Sequence, residues 1–209
     1  MDIVLKAVGK RYRLEWIFRQ LSYEFHSGGR YAILGPNGSG KSTLMKILSG
    51  HLSPSKGDIS FQNSQQTFDR DELYRQISYA APYIDLIEEF QLLEAIRFHQ
   101  GFKPLLRNLN AEALVELLGF QEARQKEIRF FSSGMKQRLK LALAICSDTD
   151  LLLLDEPTTN LDAQGMDWYR GLVAEYGGER TIIVASNVAG DYAFCEESLN
   201  ILDWKKRRK

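Results

Sequence analysis

The stretch Gly35-Pro36-Asn37-Gly38-Ser39-Gly40-Lys41-Ser42-Thr43 has the residue types and spacing of a polyphosphate cradle. Gly35 and Gly40 stand where backbone N–H groups must turn inward and a side chain would block phosphate oxygens. Lys41 is placed to reach the β- and γ-phosphates as a point charge, and Ser42 to offer its hydroxyl to Mg²⁺. Further along, Leu151-Leu152-Leu153-Leu154-Asp155-Glu156 puts two carboxylates at the end of an apolar run. Side chains alternate along a strand, so the two carboxylates point different ways and suit two tasks. Asp155 can hold the Mg²⁺ shell beside Ser42, and Glu156 can polarise a water for in-line attack on the γ-phosphate. Between these motifs, Ser132-Ser133-Gly134 opens a helical segment, where hydroxyls, N–H groups and the helix dipole favour an anion.

These groups need a scaffold. Residues 30–34 read as a short buried strand feeding the glycine-rich loop, and residues 42–49 as a helix with Leu44, Ile47 and Leu48 on one face. The helix start would face the β-phosphate. Strands are expected at 3–8, 21–25, 58–61 and 77–79, with 62–71 as polar loop. Helices follow at 92–98, at 110–118 (Asn110 as cap, Gly119 as stop), and from about 132 to 147. The run 151–154 has the uninterrupted apolar character of a parallel strand buried on both faces, and 181–185 repeats it after a helix at 164–176. Strand–helix alternation broken by a helical block predicts an α/β core with a helical insertion at about 82–147.

The chain resembles the ATP-binding-cassette (ABC) ATPases. Phe131-Ser132-Ser133-Gly134-Met135-Lys136-Gln137-Arg138 is similar to that family's LSGGQ signature, with Ser133 and Met135 as departures, and it lies just upstream of the acidic strand. Thr159-Asn160-Leu161-Asp162 resembles the D-loop, and Tyr12 stands where the family has an aromatic that stacks on adenine. The resemblance covers essentially the whole chain. It implies one ABC ATPase domain over 1–209: a P-loop NTPase (RecA-like) α/β core with an N-terminal antiparallel β subdomain and an inserted helical subdomain. It implies ATP and Mg²⁺ as cofactors. The signature of one cassette would touch the γ-phosphate held by another, in a head-to-tail homodimer or cassette heterodimer that closes on ATP.

Two positions depart from the family in ways that matter. Pro82 aligns with the Q-loop glutamine, and proline has neither a side-chain donor nor an N–H. Gln91 is the nearest glutamine but belongs to the next helical segment. Asn187 aligns with the switch histidine; its amide can donate a hydrogen bond to a γ-phosphate oxygen but cannot carry a positive charge. With Lys41, Asp155 and Glu156 retained, the expectation is Mg-ATP binding and slow hydrolysis.

Composition excludes little. With 27 basic and 27 acidic residues there is no net field to draw the chain to nucleic acid, and none is expected as a partner. No apolar run approaches the ~20 residues of a membrane span. The start lacks a signal peptide's features. Cys146 and Cys195 read as reduced, packed thiols. The chain ends in five basic residues, Lys205 to Lys209, either a solvated tail or a contact for an anionic membrane surface. The resemblance implies a cytoplasmic ATP-binding and ATP-hydrolysing subunit, peripheral on the inner face of the cell membrane, that powers a separate integral membrane transporter subunit. The alternatives are a soluble ABC ATPase and a slow or non-hydrolysing nucleotide sensor.

Overall fold

A computed structural model describes residues 1–63 and 66–205, so residues 206–209 of the basic tail and 64–65 of the expected loop lie outside the described residues. Two sheets build the chain. In the first, β1 (Asp2–Tyr12) pairs antiparallel with β2 (Glu15–Phe25) on one side and β4 (Lys56–Gln62) on the other. The second is a parallel sheet of five strands: β3 (Arg30–Leu34), β5 (Ile77–Ala80), β6 (Leu151–Asp155), β7 (Thr181–Ala185) and β8 (Glu197–Asn200), in the order β5-β6-β7-β3-β8. This is the expected α/β architecture with an antiparallel sheet at the N-terminus.

The apolar run in β6 is explained by what lies on its two faces. Leu152 and Leu154 join a cluster with Ile182 and Val184 of β7 and residues of the surrounding helices, whereas Leu151 and Leu153 point the other way. That second face packs with Ile183, Ile33, Leu44 and Ile47, and continues into Ile3, Phe18 and Phe25 of the antiparallel sheet. A strand buried on both sides has no polar face to show.

Helix α1 (Lys41–Leu48) follows β3 directly, and α2 (Arg70–Gln76) precedes β5. Between β5 and β6 come α3 (Leu92–Gln100), α4 (Ala111–Leu118) and α5 (Ser133–Ile145); α6 (Ala163–Tyr176) connects β6 to β7. Asn110 caps α4 by accepting from the N–H of Ala113 at 2.8 Å, and Gly119 ends it with φ 71°, a value that favours glycine.

The structure corrects four readings. Residues 62–71 are not loop throughout: Gln62 bridges Thr67, and α2 starts at Arg70, with Leu73 its buried contact with the core. The first two strands extend well beyond 3–8 and 21–25. Strand β8 had no counterpart in the expectation, because Glu-Ser-Leu-Asn buries only Leu199. Gln91 is the N-cap of α3, closing a capping box with Glu94, and not a residue inside the helix.

Candidate functional site

The sheet order puts the chemistry in one row. Strands β5, β6, β7 and β3 are consecutive neighbours and parallel, so their carboxyl ends open on the same edge. From that edge project the loop after β3, Asp155 and Glu156 after β6, Asn187 after β7 and Pro82 after β5. Ligand sites in open α/β sheets form in this crevice.

A cavity of about 420 Å³ lies there, lined by Asn37, Gly38, Ser39, Gly40, Lys41, Ser42 and Thr43 together with Ile17, Pro82, Glu156 and Thr159. Gly40 has φ 112°, and a Cβ there would stand 2.5 Å from Ile17 Cγ2, so only glycine lets the loop pass under the first sheet. Ser39 is buried and its Oγ has no hydrogen-bond partner; a Cβ at Gly35 would come within 2.7 Å of it.

Lys41 is 5% exposed, and its ammonium spends all three protons inside the site. Nζ donates to the Gly35 carbonyl at 2.8 Å and to Asn187 Oδ1 at 3.2 Å, and it pairs with Glu156 Oε1 at 3.3 Å. Asn187 Nδ2 in turn donates to Asn37 Oδ1 at 2.7 Å. Phosphate oxygens would therefore replace the Glu156 carboxylate on Lys41, and would compete with a contact already made.

Asp155 and Glu156 diverge, but not by strand alternation, because β6 ends at Asp155. Asp155 is fully buried and faces α1 and the loop after β5, where its Oδ2 accepts from the Tyr83 hydroxyl at 3.2 Å. Its Oδ1 has no hydrogen-bond partner. Burial raises the Asp155 carboxyl above the usual range, opposed by the Ser42 and Tyr83 hydroxyls and by Lys41, with Glu156 adding to the rise. A buried, unpartnered carboxylate oxygen beside the Ser42 hydroxyl is a hard-oxygen donor set, and it fits a divalent cation.

Glu156 sits at φ 46°, a left-handed conformation uncommon outside glycine and held by its N–H donating to the Ala185 carbonyl at 2.8 Å. That turn swings its carboxylate away from Asp155 and over Lys41. Asp191 supports the turn: it is buried and accepts from Thr158 Oγ1 at 2.7 Å and from Ser186 Oγ at 2.6 Å. The residues flanking Glu156 and Asn187 are thus tied to one carboxylate.

Ser132, Ser133, Gly134 and Asp162 lie apart from this cavity, around a second one of about 390 Å³ that also includes Phe120, Met135, Arg138 and Asn160. Ser132 caps α5 through the N–H of Met135 at 3.2 Å, and Asp162 caps α6 through the N–H of Gly165 at 2.7 Å. One copy of the chain therefore holds these two groups of residues around separate cavities. Tyr12 lies at the end of β1, 48% exposed, with Lys10 Nζ 5.5 Å from its ring centroid. It does not line the cavity; Ile17 does.

Sequence reasoning missed Tyr83, Asp191, Ile17 and Lys205, whose Nζ donates to the Gly38 carbonyl at 3.3 Å. For Tyr83 a signal existed, a hydroxyl-bearing residue one step past Pro82. Cys146 and Cys195 are free thiols whose pKa values are pushed up to about 12 by burial, which makes them poor nucleophiles.

The chain is similar to known proteins along most of its length. The family model described as ABC transporter matches residues 18–159. The lantibiotic transport ATP-binding protein SrtF of Streptococcus pyogenes is 32% identical over 192 residues, covering 89% of this chain and 78% of that one. The lipoprotein-releasing system ATP-binding protein LolD 2 of Rhodospirillum rubrum is 29% identical over 209 residues, covering 95% and 90%. The chain spans 64% of the length of an uncharacterized ABC transporter ATP-binding protein of Bacillus subtilis, YcbN, to which it is 28% identical. In structure, the dimeric post-hydrolysis state of the ATP-binding cassette MJ0796 bound to ADP and Pi superposes with a TM-score of 0.81 at 22% identity, covering 99% of this chain and 97% of that one.

Proposed function

The chain belongs to the ABC transporter family, and from that premise we propose that it is the ATP-binding and ATP-hydrolysing subunit of a transporter whose membrane-spanning part is a separate subunit. One observation carries the reading: Lys41, Asn187 and Glu156 meet at one ammonium, beside a buried Asp155 that leaves an oxygen free.

In this reading the loop from Gly35 to Thr43 binds the phosphates, with N–H groups and the start of α1 supplying positive potential. Lys41 releases Glu156 and turns to the β- and γ-phosphates. Ser42 and Asp155 would hold Mg²⁺, which would draw charge from the β,γ-phosphate oxygens. Glu156, freed from Lys41, polarises the attacking water, and Asn187 donates to the γ-phosphoryl group. Ser132, Ser133 and Gly134 of a second cassette complete the site, with Asp162 in the loop between the two. The separation of the two cavities on one chain supports this head-to-tail arrangement. Closure on ATP and reopening after hydrolysis would work the membrane subunit. The subunit would sit on the cytoplasmic face of the membrane; no helix among the described residues is long and apolar enough to cross it. Tyr12, exposed at the end of β1, is the candidate adenine contact.

Phosphate release from Mg-ATP by the purified protein tests hydrolysis directly. Turnover is expected; nucleotide binding without phosphate release above background would favour the sensor reading. Asn187→His is expected to raise basal turnover by up to about tenfold, ~1.4 kcal/mol on the barrier, because a histidine stabilises charge building on the γ-phosphoryl oxygens better than an amide does. A kcat at or below that of the parent contradicts the view that Asn187 slows the reaction.

A further inference from the structure

The connection from β5 to α3 reaches the phosphate site, but not through residue 82. Pro82 lines the cavity with a ring that has no polar atom, and its carbonyl is turned away to accept from Lys140 Nζ at 3.2 Å. Tyr83 reaches past it. Its hydroxyl donates to Asp155 Oδ2 at 3.2 Å and is in hydrogen-bond contact with the Tyr79 hydroxyl of β5. Each hydroxyl has one proton, so Tyr79 donates to Tyr83 and Tyr83 to Asp155, a chain in which each bond strengthens the next.

The ring is held as well as the hydroxyl. Lys46 Nζ lies 4.0 Å from the Tyr83 centroid, a cation–π contact from the same helix that carries Ser42 four residues earlier. Tyr79 meets the ring edge-on at 6.2 Å. Tyr83 is thus clamped between β5 and α1 with its polar end on one oxygen of a fully buried carboxylate. The other oxygen, Oδ1, is the unpartnered one.

We propose that Tyr83 is a positioning residue for the divalent cation: by holding Asp155 Oδ2 it fixes the carboxylate with Oδ1 free for the metal. It does so from the position after Pro82, which the family resemblance aligns with a glutamine. Groups that orient a metal-ligating carboxylate typically change metal affinity or activity by ~10- to 100-fold when removed. The proposal rests on the nucleotide reading above. The same loop is tied to α5 by Lys140 at Pro82 and by Lys136 to Glu88 at 2.5 Å.

Tyr83→Phe separates the hydroxyl from the ring. Binding of a fluorescent ATP analogue would be measured for parent and variant, first in EDTA and then as free Mg²⁺ is raised at fixed analogue. The expected result is unchanged affinity in EDTA, an unchanged melting temperature to within a few degrees, and a Mg²⁺ midpoint about tenfold higher in the variant. Tyr79→Phe, which leaves Tyr83 on Asp155, should shift the midpoint less. Coincident Mg²⁺ midpoints for parent and Tyr83→Phe would overturn the role of Tyr83 and leave ATP binding intact. Equal losses in EDTA and in Mg²⁺ would also overturn it, by showing that the side chain only shapes the loop. A parent that bound no analogue under either condition would overturn the nucleotide reading itself.

Discussion

Lys41→Ala is expected to weaken ATP binding by about 10- to 100-fold, the scale of losing 1.5–3 kcal/mol from hydrogen bonds to a charged group. The ammonium is the one cation directed into the cradle by the loop itself, and its three contacts converge from Gly35, Asn187 and Glu156. Alanine would leave Glu156 without its partner. That carboxylate is 27% exposed and can hydrate, so the fold should survive. A titration with a fluorescent ATP analogue at fixed salt checks this, with thermal melting to confirm that the variant is folded. Equal affinities for variant and parent would remove Lys41 from the phosphate site.

Glu156→Gln should lower turnover by ~10²- to 10⁴-fold, the range of general acid–base catalysis, without loss of ATP binding. The geometry goes further and predicts tighter binding. In this structure Glu156 pairs with Lys41, and its charge would repel an incoming γ-phosphate; glutamine weakens the first and removes the second. Single-turnover phosphate release would measure the first effect and nucleotide titration the second. A variant with weaker affinity and normal turnover would contradict both assignments.

Much of this site could be read from residue types because its parts are local. The spacing from Gly35 to Lys41 fixes a loop whose backbone carries the function, and four leucines before Asp155 require a doubly buried strand. What brings Lys41, Glu156 and Asn187 together is the neighbour order β6-β7-β3, which no local residue pattern reports. The rest failed for physical reasons. In β1, both Leu5 and Val8 are buried because a register shift falls between them, with Ala7 at φ 50°, so the period of two is broken. In α2 and β8 one buried leucine each, Leu73 and Leu199, leaves no periodicity to detect.

The side-chain contacts that complete the site are non-local. Tyr83 reaches Asp155 across 72 positions of chain, and Asp191 gathers Thr158 from 33 positions away. Nothing in the spacing of those residues announces a meeting. Tyr12 shows the opposite case: the resemblance implied an adenine contact, but the strand end carrying it lies outside the cavity and Ile17 takes the lining position.

The central claim is that one chain carries two half-sites that only a second copy can join, with the Lys41 cradle of each covered by Ser132, Ser133 and Gly134 of the other. Sedimentation velocity of the Glu156→Gln variant, with and without saturating Mg-ATP, tests it most directly. Hydrolysis can no longer end closure in that variant. The account predicts a monomer without nucleotide and a dimer with it, reversed by adding Ser132→Arg, which would fill the second cavity. A variant that binds ATP and remains monomeric at saturation would contradict the shared site.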